Sequence, residues 1–323
     1  MAFLVAGLAA PLISARAQEA VRIGTSGDGG TYYIIAVAAS EIVQKHAGIA
    51  TNAEPVGGST ASVNALGAGK LEFALANAFA STAGYTATYM FTDKPVNVRL
   101  VLQGQPSYRA MVARKDSGIK TPKDLEGKIV VAKRRALPEL ELIMNAMAEV
   151  FGLDLSKIKI VATTNTGEVS KVLRAGTIDA AMMPFGRKSP TIEEPMNSDL
   201  VDFVYISAAD RDAMLKLLPK ALHAGLIEKG VFSNQGRDLY AVETNTYFVV
   251  RGNLSDDLVY KVAKAILDNN EEFQTYHKDA ATWTAERSLK NFAIPFHDGA
   301  IRYYKEKGLW TAEHEALQKS LMK

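Results

Sequence analysis

The segment Val21 to Tyr33, V-R-I-G-T-S-G-D-G-G-T-Y-Y, runs without interruption into the apolar stretch Ile34 to Val43. Val21 and Ile23 alternate with Arg22 as strand residues do, and the stretch beyond Thr31 is long enough for a helix. Between them Gly24, Gly27, Gly29 and Gly30 allow positive φ and bring bare amides close to a ligand, while Thr31 is placed to cap the helix. A helix beginning there points unsatisfied N–H groups and a partial positive charge at the strand end, which makes an anion site. The plainer reading is a glycine turn with no ligand. The spacing G-x-x-G-x-G-G is not G-x-G-x-x-G, and no Gly-Lys-Ser/Thr follows, so neither dinucleotide nor Walker A binding is indicated.

The same grammar returns twice. A strand ending at Val56 meets Gly57-Gly58-Ser59-Thr60 and a helix start at Ala61 to Leu66, with Ser59 as the expected N-cap. Leu71 to Ala76 then reads as a strand, Asn77 stands at its end, and Phe79 to Met90 reads as a helix. Three strand ends therefore present Ser26 with Thr31, Ser59 with Thr60, and Asn77 in one row, where open α/β sheets bind ligands. Ser59 alone is equally a helix cap and Asn77 a turn pin; the repetition carries the reading.

Val98 to Arg114 gives two apolar runs separated by Gly104-Gln105-Pro106, the second leaving the first domain. A turn-rich bridge, Lys115 to Gly118 and Thr121 to Gly127, leads into a new strand–helix series from Lys128 to Met182, which predicts a mostly parallel second sheet. Leu239 to Arg251 is β-branched and aromatic in alternation and is expected to carry the chain back. The fold class expected is α/β, with two α/β domains joined by a two-strand hinge. Lobe I comprises residues 18–110 and 248–323, lobe II residues 111–247, with hinge strands near 107–114 and 240–251.

A chain of 323 residues with 48% hydrophobic and 22% charged residues can bury two cores. The net charge of +2 offers no polybasic footprint, so no nucleic acid partner is expected. With no cysteine, disulfides, thiolate catalysis and Cys-ligated metals are excluded. Ala2 to Ile13 is apolar but too short to span a bilayer, and Ala15-Arg16-Ala17 has the small-x-small form of a signal peptidase site, which predicts a signal peptide over residues 1–17 and export to the periplasm. The basic residue usual before such a run is missing, so the alternative is an apolar terminus.

The chain carries no convincing catalytic arrangement. His46, His223, His277, His297 and His314 are scattered, there is no G-x-S-x-G, and Glu139 and Glu141 lie two apart on a predicted helix, facing different ways. No catalytic residue, metal or cofactor is assigned. The most informative polar cluster is Lys133-Arg134-Arg135, where Arg134 or Arg135 at a strand end is a natural carboxylate clamp or else a solvated basic turn. Phe185, in Pro184-Phe185-Gly186-Arg187, is an aromatic wall of the cleft or a core residue.

The glycine loop followed by T-Y-Y, Gly57-Gly58-Ser59 with Asn64 five residues on, Asp124-Leu125-Glu126-Gly127-Lys128, and Ile294-Pro295-Phe296-His297-Asp298-Gly299-Ala300 with Tyr303-Tyr304 together resemble the TAXI-type solute receptors of TRAP (tripartite ATP-independent periplasmic) transporters. The likeness spans Val21 to Leu321. It implies a two-lobed periplasmic-binding-protein fold of type II, a monomeric receptor that closes over a small anionic solute, a glutamate-like amino acid or other organic acid, and delivers it to an ion-gradient-driven membrane permease. The ligand-facing positions it implies are Ser26, Gly27, Thr31, Tyr32, Ser59, Thr60 and Asn77. One departure stands out: where the family commonly has a glycine- and serine-rich turn with a threonine, this chain has Ala132-Lys133-Arg134-Arg135-Ala136-Leu137-Pro138. The second half of the site is rebuilt with cationic side chains, which suggests a ligand more negative than glutamate or of another shape. An enzyme or a sensor domain on the same architecture is the rival expectation.

Overall fold

The computed structural model describes residues 20–27 and 31–322. The signal peptide expectation and the loop residues 28–30 lie outside the described residues.

Three strand–turn–helix units open the chain: β1 (Val21–Thr25) and α1 (Thr31–Ala47), β2 (Thr51–Pro55) and α2 (Ser59–Gly67), β3 (Phe73–Asn77) and α3 (Ala78–Thr86). Strand β4 (Val98–Arg114) then leads to β5 (Ile129–Lys133), α4 (Glu139–Phe151), β6 (Lys159–Ala162), α5 (Thr166–Arg174), β7 (Ala180–Phe185), α6 (Pro190–Asn197), β8 (Val201–Phe203), α7 (Ala208–Leu215) and β9 (His223–Ile227). After β10 (Leu239–Arg251) only helices follow: α8 (Asp256–Asp268), α9 (Asn270–Tyr276), α10 (Ala285–Ser288), α11 (Asp298–Glu306) and α12 (Ala312–Leu321).

The strands join in the order β2-β1-β3-β10-β4-β7-β5-β6, with β8 on β4 and β9 on β10. This is the α/β, two-lobed architecture expected. The first end of β4 and the last of β10 pair with each other beside β3, and their opposite ends pair beside β7 and β9. Both strands thus pass from one lobe to the other, antiparallel to each other.

The expected break at Gly104-Gln105-Pro106 does not occur, since β4 runs unbroken for 17 residues. Pro106 has no N–H for the ladder, but it falls opposite Asn245, next to the point where the register shifts, a position that tolerates proline. Gly104 is required by close approach: a Cβ there would overlap the indole of Trp283. The short helices α9 and α10 escaped the sequence reading, as did α6 and β9. In α6 an internal Pro195 reads as a helix breaker, and β9 is an edge strand with alternate residues exposed.

The larger core packs α1, α2, α3 and the C-terminal helices on the lobe I strands and continues under α4. A second core on the other face of the lobe II sheet holds Tyr108, Phe185, Phe203 and Phe232. The C-terminal helices are tied to lobe I by polar bonds as well: the Tyr304 hydroxyl donates to the Val101 carbonyl at 2.9 Å.

Candidate functional site

Parallel pairing of β1 with β2 and β3 brings three strand ends to one edge, and pairing of Asn77 with Thr246 sets that edge beside the crossing strands. In lobe II the ends of β5, β6 and β7 meet the same crossing from the other side, with Phe185 paired to Tyr108. Six strand ends therefore face one another across the hinge, the arrangement in which open α/β sheets bind ligands.

On the lobe I side Ser59 is not the cap expected. Gly58, at φ 118°, is the N-cap of α2, a backbone angle that glycine alone adopts without strain. Ser59, first residue of the helix and 2% exposed, accepts the Asn77 N–H at 3.0 Å through its Oγ. Asn77 caps α3 by accepting the Ala80 N–H at 2.7 Å, and its Nδ2 donates across the cleft to Glu139 Oε1 at 2.9 Å. The Thr60 hydroxyl donates to the Ala136 carbonyl at 3.3 Å, a second contact between lobes. Tyr32 accepts from the Thr246 hydroxyl at 3.0 Å, and burial raises its pKa. Thr31 opens α1, Ser26 is half-buried and Gly27 exposed at the end of β1.

The lobe II side turns on a charged residue the sequence reading set aside. Glu139 is the first residue of α4 and fully buried, whereas Glu141 faces out and pairs with Lys133 at 2.7 Å. Glu139 Oε1 accepts from Arg109 Nη2 at 2.8 Å and Nε at 3.3 Å, an ion pair with both side chains almost wholly out of water. Helix α4 also directs its positive end at this carboxylate. Arg109 further donates to the Ser107 hydroxyl at 2.6 Å.

The structure separates Arg134 from Arg135. Arg135 is exposed, while Arg134 is 7% exposed and donates from Nη1 to the Thr166 hydroxyl at 3.0 Å. Its Nε and Nη2 are buried and have no partner among the described residues. Burial, then repulsion from Arg109, pushes its pKa down to about 10, with Glu139 and Glu168 opposing, so it stays a cation at neutral pH. Other orphaned atoms are Glu139 Oε2 and the hydroxyls of Thr25, Thr163 and Thr244, at the ends of β1 and β6 and in the crossing segment of β10. Phe185 gives its ring to the second core, 5.6 Å from Phe203 and 5.8 Å from Phe232, and so belongs to packing rather than to a cleft wall.

Arg109, Glu139, Thr166 and Thr246 were not foreseen. A lone arginine directly before the apolar run Ala110 to Ala113 and a glutamate directly after Pro138 were the available signals. Buried charges of this kind persist only when paired. Among the described residues no cluster of three or more His, Asp or Glu stands ready for a metal, and no helix is long and apolar enough to cross a membrane.

A family model described as NMT1-like matches residues 23–308. The fold is similar to that of PhnD1 from Prochlorococcus marinus in complex with methylphosphonate, at 10% identity and TM-score 0.58, covering 90% of this chain and 98% of that one. It is similar to a binding protein component of an ABC phosphonate transporter from Pseudomonas aeruginosa, at 12% identity and TM-score 0.55, covering 94% and 99%. MatC from Rhodopseudomonas palustris with bound malate aligns at 15% identity and TM-score 0.54, covering 90% and 97%.

Proposed function

This chain belongs to the NMT1-like family, and we propose that it is an exported, non-catalytic receptor that captures a small organic anion between its lobes and hands it to a TRAP-type permease. The observation that carries the reading is Arg134: a buried guanidinium with two unpartnered nitrogens at a strand end that faces lobe I. Such a group is costly to bury unless an acceptor completes it, and a carboxylate matches its fork. Similar folds seen with methylphosphonate and malate agree with an anionic solute. The motif likeness to TAXI receptors supports the permease class. Lobe I contributes Asn77, Ser59, Thr60 and Tyr32 with the amides of the first loop, including Ser26, Gly27 and Thr31. Lobe II contributes Arg134, and Arg135 sits outside at the rim. Ligand shifts the open–closed equilibrium by its preference for the closed form.

Calorimetric titration of the purified chain with a panel of small organic acids tests the reading. Arg134→Ala is expected to weaken the bound acid at least about 30-fold, the range of a buried charge-assisted bond, and Arg135→Ala to change affinity little. Equal affinity in Arg134→Ala and wild type would remove the clamp. The part of solute uptake that is lost when the gene is deleted tests the permease: its dependence on an ion gradient supports the TRAP class, and its dependence on ATP hydrolysis overturns it.

A further inference from the structure

The site contains its own carboxylate. Arg109 and Glu139 are paired at 2.8 Å with side-chain exposures of 2% and 0%, so that guanidinium is already satisfied by an anion of the protein. Arg134 is the second buried guanidinium, and its Nε and Nη2 have no partner among the described residues. Glu139 spends only Oε1 on Arg109 and Asn77; its Oε2 is buried and unpartnered. Besides the hydroxyls of Thr25, Thr163 and Thr244, the orphaned charged atoms of the site are one cationic fork lacking an acceptor and one carboxylate oxygen lacking a donor.

We propose that Glu139 sets the charge selectivity of the cleft, so that the receptor takes a small monocarboxylate carrying a hydroxyl or ammonium donor and rejects dicarboxylates. This rests on the reading of the cleft as an anion receptor and sharpens it. The ligand carboxylate meets Arg134, and its donor meets Glu139 Oε2. A second ligand carboxylate in the same cleft would lie near Glu139 without a free guanidinium to balance it, and like charges out of water repel strongly. The basic turn Lys133-Arg134-Arg135 therefore does not signal a more negative ligand. Lys133 pairs with Glu141, Arg135 is exposed, and one buried cation remains to be matched.

The experiment compares matched acids that differ by one carboxylate, lactate with malate and alanine with aspartate, by calorimetry on the full chain. Wild type is expected to bind the monocarboxylate of at least one pair about tenfold or more tightly than its dicarboxylate. Glu139→Gln keeps an oxygen for Asn77 and Arg109 but removes the charge, and is expected to raise the dicarboxylate-to-monocarboxylate affinity ratio about tenfold or more. A thermal melt confirms that the variant is folded. Should it not fold, Glu139→Asp, which keeps the charge but shortens its reach, is expected to keep the preference of wild type while weakening ligands with a donor. Wild type binding malate or aspartate as tightly as their partners, or a folded Glu139→Gln with an unchanged ratio, overturns charge selection and leaves the anion receptor standing. Wild type binding only neutral or cationic solutes overturns both.

Discussion

Asn77 and Glu139 stand 62 positions apart in the chain, at the end of β3 and the start of α4, and are joined by a 2.9 Å hydrogen bond with both side chains buried. Asn77 does two jobs there, since its Oδ1 also caps α3. Asn77→Ala is expected to cost about 1–3 kcal/mol in urea denaturation, the cap and the bridge together. Asn77→Asp separates them: it preserves the capping oxygen but sets a second carboxylate against Glu139. If the bridge matters, the aspartate variant is destabilised at pH 7 relative to wild type. A variant as stable as wild type at pH 7 would show that the lobes do not depend on this contact.

The Arg109–Glu139 pair is expected to be strongly coupled. Arg109→Met leaves Glu139 buried without its cation and should cost about 3–5 kcal/mol. Replacing both, with Glu139→Leu added, should recover most of that loss, because a desolvated charge no longer needs a partner. A double-mutant cycle in chemical denaturation reads the coupling directly. Additive costs would mean that the two charges act independently.

Gly104 lies where β4 crosses between the lobes and against Trp283, whose indole Nε1 donates to Gln105 Oε1 at 2.6 Å. Gly104→Ala forces the ring out of a fully packed site and is expected to cost about 2–3 kcal/mol or more. By contrast, a Cβ at Gly27 meets nothing within 4 Å, so Gly27→Ala should fall within about 0.5 kcal/mol of wild type. Thermal melts of the two variants side by side check both statements. Equal shifts would deny that the crossing strand is sterically tight.

Burial pushes the Glu243 carboxyl up to about 7, with Arg287 and Arg187 drawing it down. The folded state therefore holds this proton more tightly than the unfolded chain does. The associated stability is complete below the unfolded pKa of about 4.3 and is lost as pH rises through about 7, on the order of 3 kcal/mol in total. Glu243→Gln should flatten the decline in stability between pH 5 and 8. His223, whose Nδ1 is 4.0 Å from Glu243 and whose pKa burial lowers, works in the opposite sense as pH falls below its ordinary value. Comparison of Glu243→Gln with wild type at each pH isolates the carboxyl. Parallel stability curves would refute the raised value.

The fold was written locally. Strand, glycine turn and helix recur at β1, β2 and β3, and alternation through Leu239 to Arg251 marked the whole of β10 at its observed bounds. Periodicity and turn residues act over a few positions, so a single chain carries them openly. Asn77 was legible for the same reason, as a polar residue closing an apolar strand.

What the sequence could not decide was where charged side chains point once the lobes meet. Arg134 and Arg135 are neighbours of one type, and only packing buries the first and exposes the second. Phe185 stood between cleft and core until the rings of Phe203 and Phe232 claimed it. The union of Arg109 with Glu139, 30 positions apart, depends on strand register and on the entry angle of α4 together. Such pairing is a property of folded geometry, because desolvation and Coulomb energy arise only when distant segments exclude water between them.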